Sequence, residues 1–124
     1  MLAVSGAAWF LDLLNRVSHM VVNDELCQED WGVVVFVERN RKRFWVGISM
    51  GFDGERGSWA AHFHHAPFAW LQRLSSSGKL ELQRVVADFH QVLLAEPAVS
   101  EICWFRETDM RSPQRSGSSS PEDA

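Results

Sequence analysis

The chain has 124 residues, a hydrophobic share of 46% and a net charge of −4 from 12 basic and 16 acidic side chains. That length suits one domain with one core, and the apolar share argues against wholesale disorder. The mild acidity argues against a non-specific grip on nucleic acid, which needs a dense basic surface.

No run approaches the ~20 apolar residues that a bilayer crossing needs, so no membrane contact is expected. The stretch Met1–Ala8 has the small residues of a signal peptide. It lacks a basic start, and Asp12 interrupts the apolar run, so it is not read as one. Cys27 and Cys103 are too few for a disulfide framework, which sets a reducing cytoplasm as the expected compartment. Cys103, in an apolar run, is expected to be a small buried hydrophobe. Six Trp and eight Phe with no Tyr exceed what one small core needs, which leaves aromatic side chains for a partner surface.

The periodicity predicts a helix over residues 5–22. Phe10, Leu13, Leu14, Val17 and Val21 share one face, with Ser5 as N-cap and Asp12, Asn15 and Arg16 off that face. Asp24, Glu25, Glu29 and Asp30 then make an acidic loop. A strand is predicted over residues 31–38, where Val33, Val34, Val35, Phe36 and Val37 are β-branched or aromatic; being apolar on both faces, it should be a central strand. After a polar turn over residues 39–42, a second strand covers 44–50. Its residues Phe44, Val46, Ile48 and Met50 alternate against Trp45, Gly47 and Ser49. Gly51, Asp53, Gly54 and Gly57 mark a longer turn. A third strand covers 58–65, with Trp59, Ala61 and Phe63 on one side and Ala60, His62 and His64 on the other.

Pro67 suits the first position of a short helix over 68–74, which the run Ser75-Ser76-Ser77-Gly78 should break. Leu82, Val85, Val86, Phe89, Val92 and Leu93 form the best helical stripe, with Arg84 and Asp88 as an outward i,i+4 pair. Glu96-Pro97 ends that helix, and a last strand is expected from Val99 to Glu107. The expected fold is therefore a single α+β domain over residues 1–109 in the order α-β-β-β-α-α-β. Its sheet is mainly antiparallel, and its helices pack on one face. Phe36, Val46, Phe63, Val86, Phe89 and Trp104 are its expected core. Residues 110–124, rich in Ser, Pro, Gly and charge, are expected to be a disordered tail.

The cluster His62-Phe63-His64-His65 is the one feature with the look of chemistry. Positions i and i+2 of a strand share a face, so His62 and His64 could chelate a metal together. A third ligand would have to be His90, Asp53 or Glu55, and no spacing singles one out. The commoner explanation is a strand whose polar histidines face solvent or a partner. Cys27, among acidic neighbours, makes a poor nucleophile. No nucleophile elbow or phosphate-binding loop occurs. The basic turn Arg39, Arg41, Lys42 and Arg43 and the acidic loop are ordinary solvated features unless a partner of opposite charge meets them.

The layout resembles the small immunity proteins that accompany bacterial polymorphic toxins, including those of contact-dependent inhibition and type VI secretion. The resemblance rests on Trp9-Phe10-Leu11-x-Leu13-Leu14, on Trp31-Gly32-Val33-Val34-Val35 with Phe44-Trp45-Val46-Gly47-Ile48, and on Val92-Leu93-Leu94 followed by Val99-x-x-Ile102-x-Trp104. It spans about residues 8–107 and carries over no individual functional residue. It implies a cytoplasmic protein that binds and blocks one cognate toxin. The lack of a catalytic constellation and the mild acidity add the expectation of no enzymatic activity, no cofactor and no direct contact with nucleic acid.

On the residues themselves, Trp45 is the expected anchor, flanked by His62 and His64. The acidic group Asp24, Glu25, Glu29 and Asp30 would meet a basic, nuclease-like cleft, and Arg41 and Arg43 an acidic one. The alternatives are a small metal-dependent enzyme using His62 and His64, or a homo-oligomeric module. A homodimer is left open.

Overall fold

A computed structural model of the chain describes residues 2–23, 26–29, 32–53, 56–67, 69–99, 102–104 and 121. Helix α1 (Leu2–Asn15) leads into strands β1 (Val21–Val22), β2 (Cys27–Glu29), β3 (Gly32–Arg39), β4 (Lys42–Asp53) and β5 (Arg56–His65). Helices α2 (Trp70–Leu74) and α3 (Ser76–Ala95) follow. The α+β class holds, with an antiparallel sheet in the order β1-β3-β4-β5 and β2 on the same edge of β3 as β1.

The apolar alternation sets the layers. Along β3, Val33, Val35, Val37 and Arg39 are buried while Gly32, Val34, Phe36 and Glu38 are only half-buried. The buried face continues across the register through Val37–Phe44, Val35–Val46 and Val33–Ile48. Phe10, Leu13, Leu14 and Val17 of the α1 segment and Val85 and Phe89 of α3 close the core over it. Each such side chain removed from water contributes about 1.5–3 kcal/mol before ordering costs. Phe36 therefore lies on the opposite face from the expected core, and Val85, not Val86, is the fully buried member of its pair. Val46 and Phe89 are buried as expected, and Phe63 and Trp104 pack against the cluster half-buried.

Several boundaries move. The first helix begins at Leu2, so Ser5 lies inside it and cannot cap it. It stops at Asn15, and His19, with φ 62°, turns the chain back. Val21 thereby leaves the helical stripe and joins β1, where it is 64% exposed. Within the acidic stretch, residues 27–29 form β2 by pairing with Gly32–Val34. The β3–β4 connection is a two-residue hairpin. Asn40 (φ 52°) and Arg41 (φ 65°) both take the left-handed conformation that fits the strands' twist.

Pro67 precedes α2 but is not its first residue, since Ala69 occupies the N-cap. The serine run does not break the helical region for long. Ser75 alone is extended (ψ 147°), and its hydroxyl accepts from the Gly78 N–H at 3.0 Å, capping α3. Gly78 is needed for a steric reason: a Cβ there would collide with the Gln72 carbonyl of α2. Gly78→Ala is expected to cost about 1–3 kcal/mol by forcing the two helices apart. Denaturant unfolding, with faster amide exchange confined to α2, would show it.

Cys103 is exposed, not buried, because the 102–104 segment only partly enters the core, through Trp104. The expected last strand falls largely outside the described residues; within them Trp104 forms an isolated bridge. The expected tail, Pro121 apart, lies outside them too, as do Asp24, Glu25 and Asp30.

Candidate functional surface

The residues singled out from the sequence divide between the two faces of the sheet. The face opposite the core carries Trp45, Ser49, His62 and His64, as the alternation predicts. One cross-strand row runs Phe36–Trp45–His64. The next runs Cys27–Val34–Gly47–His62, with a glycine between the valine and the histidine. The imidazole of His64 stacks on the Trp45 indole at 4.4 Å with 19° between planes. His62 meets His64 edge-on at 6.1 Å. The same face ends in the Glu38–Arg43 pair, a loose ion pair at 3.8 Å between exposed side chains. Glu29 is exposed on β2. Arg41 is exposed at the hairpin tip, adjoining the Arg43 end of the face.

Arg39 does not belong to that basic tip. Its side chain turns inward, where Nε donates to Glu81 at 2.7 Å and Nη1 to Asp88 at 2.6 Å. Asn40 adds a 3.1 Å bond to the same Glu81 oxygen. Asp88 is thus committed to β3 and not to an outward pair with Arg84.

His65 points to the core side at the end of β5, beside Phe44. The Gln72 amide donates to its Nδ1 at 2.8 Å, which fixes the neutral tautomer carrying its proton on Nε2. Burial, with Arg73 and His64 nearby, lowers its pKa below the usual imidazole value. Gln72 also exchanges two 2.8 Å bonds with the backbone of Arg43, locking α2 to the start of β4.

A metal site would need His62 and His64 joined by a third donor. His90 is across the sheet on α3, where its Nδ1 accepts from the Trp104 indole N–H at 3.0 Å. Glu55 and the side chain of Asp53 lie outside what the structure describes. Among the described residues no three His, Cys, Asp or Glu come together to hold a metal ion. An open cleft of ≈ 410 Å³ lies between the end of α1 and α3, with Arg16, Asp88 and Gln91 as polar lining. Arg16 there bonds Asp12 at 2.7 Å and Glu96 at 2.8 Å, tying the ends of α1 and α3 together. Its pKa is raised, first by Glu96 and then by Asp12.

Sequence reasoning missed one surface. Helix α2 buries Gln72 but exposes Trp70 (59%), Leu71 (67%) and Leu74 (71%), and Leu80 on α3 is 45% exposed. The available signal was the absence of a charged residue opposite Gln72 in Trp70-Leu71-Gln72-Arg73-Leu74.

The chain matches no protein-family model, no curated protein and no solved structure.

Proposed function

We propose that this protein is an immunity protein: a stoichiometric inhibitor that binds a cognate toxin domain and covers its active site. The observation that supports this reading is the convergence of Trp45, His62, His64 and Arg43 on one sheet face. An aromatic anchor beside polar, chargeable groups is what interface hot spots use, with charge steering the encounter. In this reading Trp45 and His64 form a stacked central contact. Arg41 and Arg43 steer an acidic patch from one end of the face, and Glu29 addresses a basic one from the β2 edge. The protein turns over no substrate and works in the cytoplasm, where the toxin arrives.

The test is co-purification with the product of the gene adjacent to its own. Wild type is expected to retain it one to one and to silence its toxicity. Trp45→Ala is expected to weaken retention by ~30-fold or more, the loss of about 2 kcal/mol typical of a hot spot. Charge reversal at Arg41 and Arg43, and separately at Glu29, reports which end is in contact. Elemental analysis of the same preparation decides the rival chemistry. One zinc per chain, lost in His64→Ala, together with turnover of a substrate, would replace inhibition with metal-dependent catalysis.

A further inference from the structure

The exposed apolar side chains of α2 do not belong to the sheet face, and nothing in the core needs them. At about 100° per residue, Trp70, Leu74 and Leu71 span one ~100° arc of the helix, and the buried Gln72 lies roughly opposite. The three side chains are 59–71% exposed. They project from a five-residue helix as a convex tip; the cleft between α1 and α3 lies elsewhere and none of them lines it. Three large apolar groups side by side in water mark a contact surface.

The exposed charge around the tip is predominantly basic, with Glu38 as the exposed carboxylate there, paired loosely with Arg43 at 3.8 Å. Arg73 lies on α2 itself and Lys79 on the first turns of α3, both exposed. The bonds from Gln72 to Arg43 and from Asn40 to Glu81 bring the hairpin tip, with Arg41, to the same end of the molecule. Glu81, the acidic residue within this end of α3, is buried and neutralised by Arg39. Among the described residues, Arg41, Arg73 and Lys79 are in no ion pair. A chain of net charge −4 thus carries a basic pole with an apolar tip.

We infer that the α2–α3 end docks on an anionic bilayer surface, with Trp70, Leu71 and Leu74 entering the interface and Arg41, Arg73 and Lys79 contacting lipid phosphates. Tryptophan and leucine on one arc with arginine and lysine beside them is the composition of an interfacial anchor, which needs none of the length of a spanning helix. Charge decides between occupants. A second copy would bring like charge to like charge, whereas a negative leaflet is complementary. The expectation of no membrane contact rested on spanning length alone, which does not bear on a surface anchor. The inference shares Arg41 with the toxin-binding reading but rests on Trp70, Leu71, Leu74, Arg73 and Lys79, which that reading does not use.

The experiment is co-sedimentation of the full chain with vesicles of phosphatidylcholine alone or mixed equally with phosphatidylglycerol, at low and high salt. The protein is expected to bind the mixed vesicles at low salt, to ignore the neutral ones, and to be released by salt. Leu71→Gln with Leu74→Gln should weaken binding by ~10-fold or more. Arg73→Gln with Lys79→Gln should weaken it similarly and flatten its salt dependence. All four positions are exposed, and an unchanged unfolding midpoint verifies that each variant is folded. No sedimentation with anionic vesicles, or equal sedimentation of wild type and the leucine variant, would overturn the inference. So would loss of co-purification with the neighbouring gene product in the leucine variant without any vesicle binding, which would make the tip a protein contact. Failure of the Trp45→Ala test leaves these vesicle outcomes untouched.

Discussion

Phe89→Ala is expected to cost ~3–5 kcal/mol of stability, the range for deleting a buried phenyl ring. Phe89 is 1% exposed and sits where three elements meet. Its ring lies 5.2 Å from Phe10 of α1 and 5.4 Å from Phe63 of β5. Phe10 in turn stacks near Trp59 at 6.2 Å, and Trp59 meets Trp9 at 5.7 Å. Truncation therefore leaves a cavity bordered by other rings, held by a helix on one side and a strand on the other. Such walls collapse poorly, which places the cost toward the upper end of the range. Urea or guanidinium unfolding measures it. A loss under ~1 kcal/mol would mean that Phe89 is not a keystone of this packing. Val86→Ala, one residue off the buried position, is expected to cost clearly less, which tests the phase of the helix and not only its presence.

That phase illustrates what local pattern can carry. The stripe on α3 and the alternation along β4 and β5 are properties of single elements, and they put Trp45, His62 and His64 on the correct face without knowledge of any neighbour. Phe36 was misplaced because β3 is apolar on both faces, so alternation is silent there; only the pairing with Trp45 fixes its side. The short strands β1 and β2 were illegible for a related reason. Two or three residues have no period of their own and become strands only because β3 offers an edge. Cys103 and Arg39 reverse the usual prior in opposite directions. A thiol in an apolar run is exposed, and an arginine in a basic turn is buried, because long-range partners decide both. The candidate surface was legible in its strand residues and illegible at α2. There exposure depends on Gln72 being clamped beneath the helix by a strand 29 residues earlier.

Removing the carboxylate of Glu81 is expected to cost ~3–5 kcal/mol, because it strands a buried guanidinium. Arg39 continues the core face of β3 after Val33, Val35 and Val37, so its inward direction is set by strand alternation. The charge that results must be met inside. Glu81 meets it with both side chains only 6% exposed, while Asp88, 53% exposed, contributes from the rim. Burial by itself would lower the Arg39 pKa, yet the bonds to Glu81 and Asp88 outweigh it and raise the value. The guanidinium therefore stays charged and cannot escape by losing its proton. Glu81→Ala should thus be far more damaging than Asp88→Ala, for which ~1 kcal/mol is expected given its exposure. The sharper result is the double variant Arg39→Leu with Glu81→Leu. If the pair is a pinning device and not a net source of stability, the double variant should be more stable than either single one and close to wild type. Denaturant midpoints for the four proteins of this cycle measure it. A double variant as unstable as the worse single would show that the ion pair itself holds β3 against α3, whereas one as unstable as the sum of the singles would mean that Arg39 and Glu81 are not coupled at all.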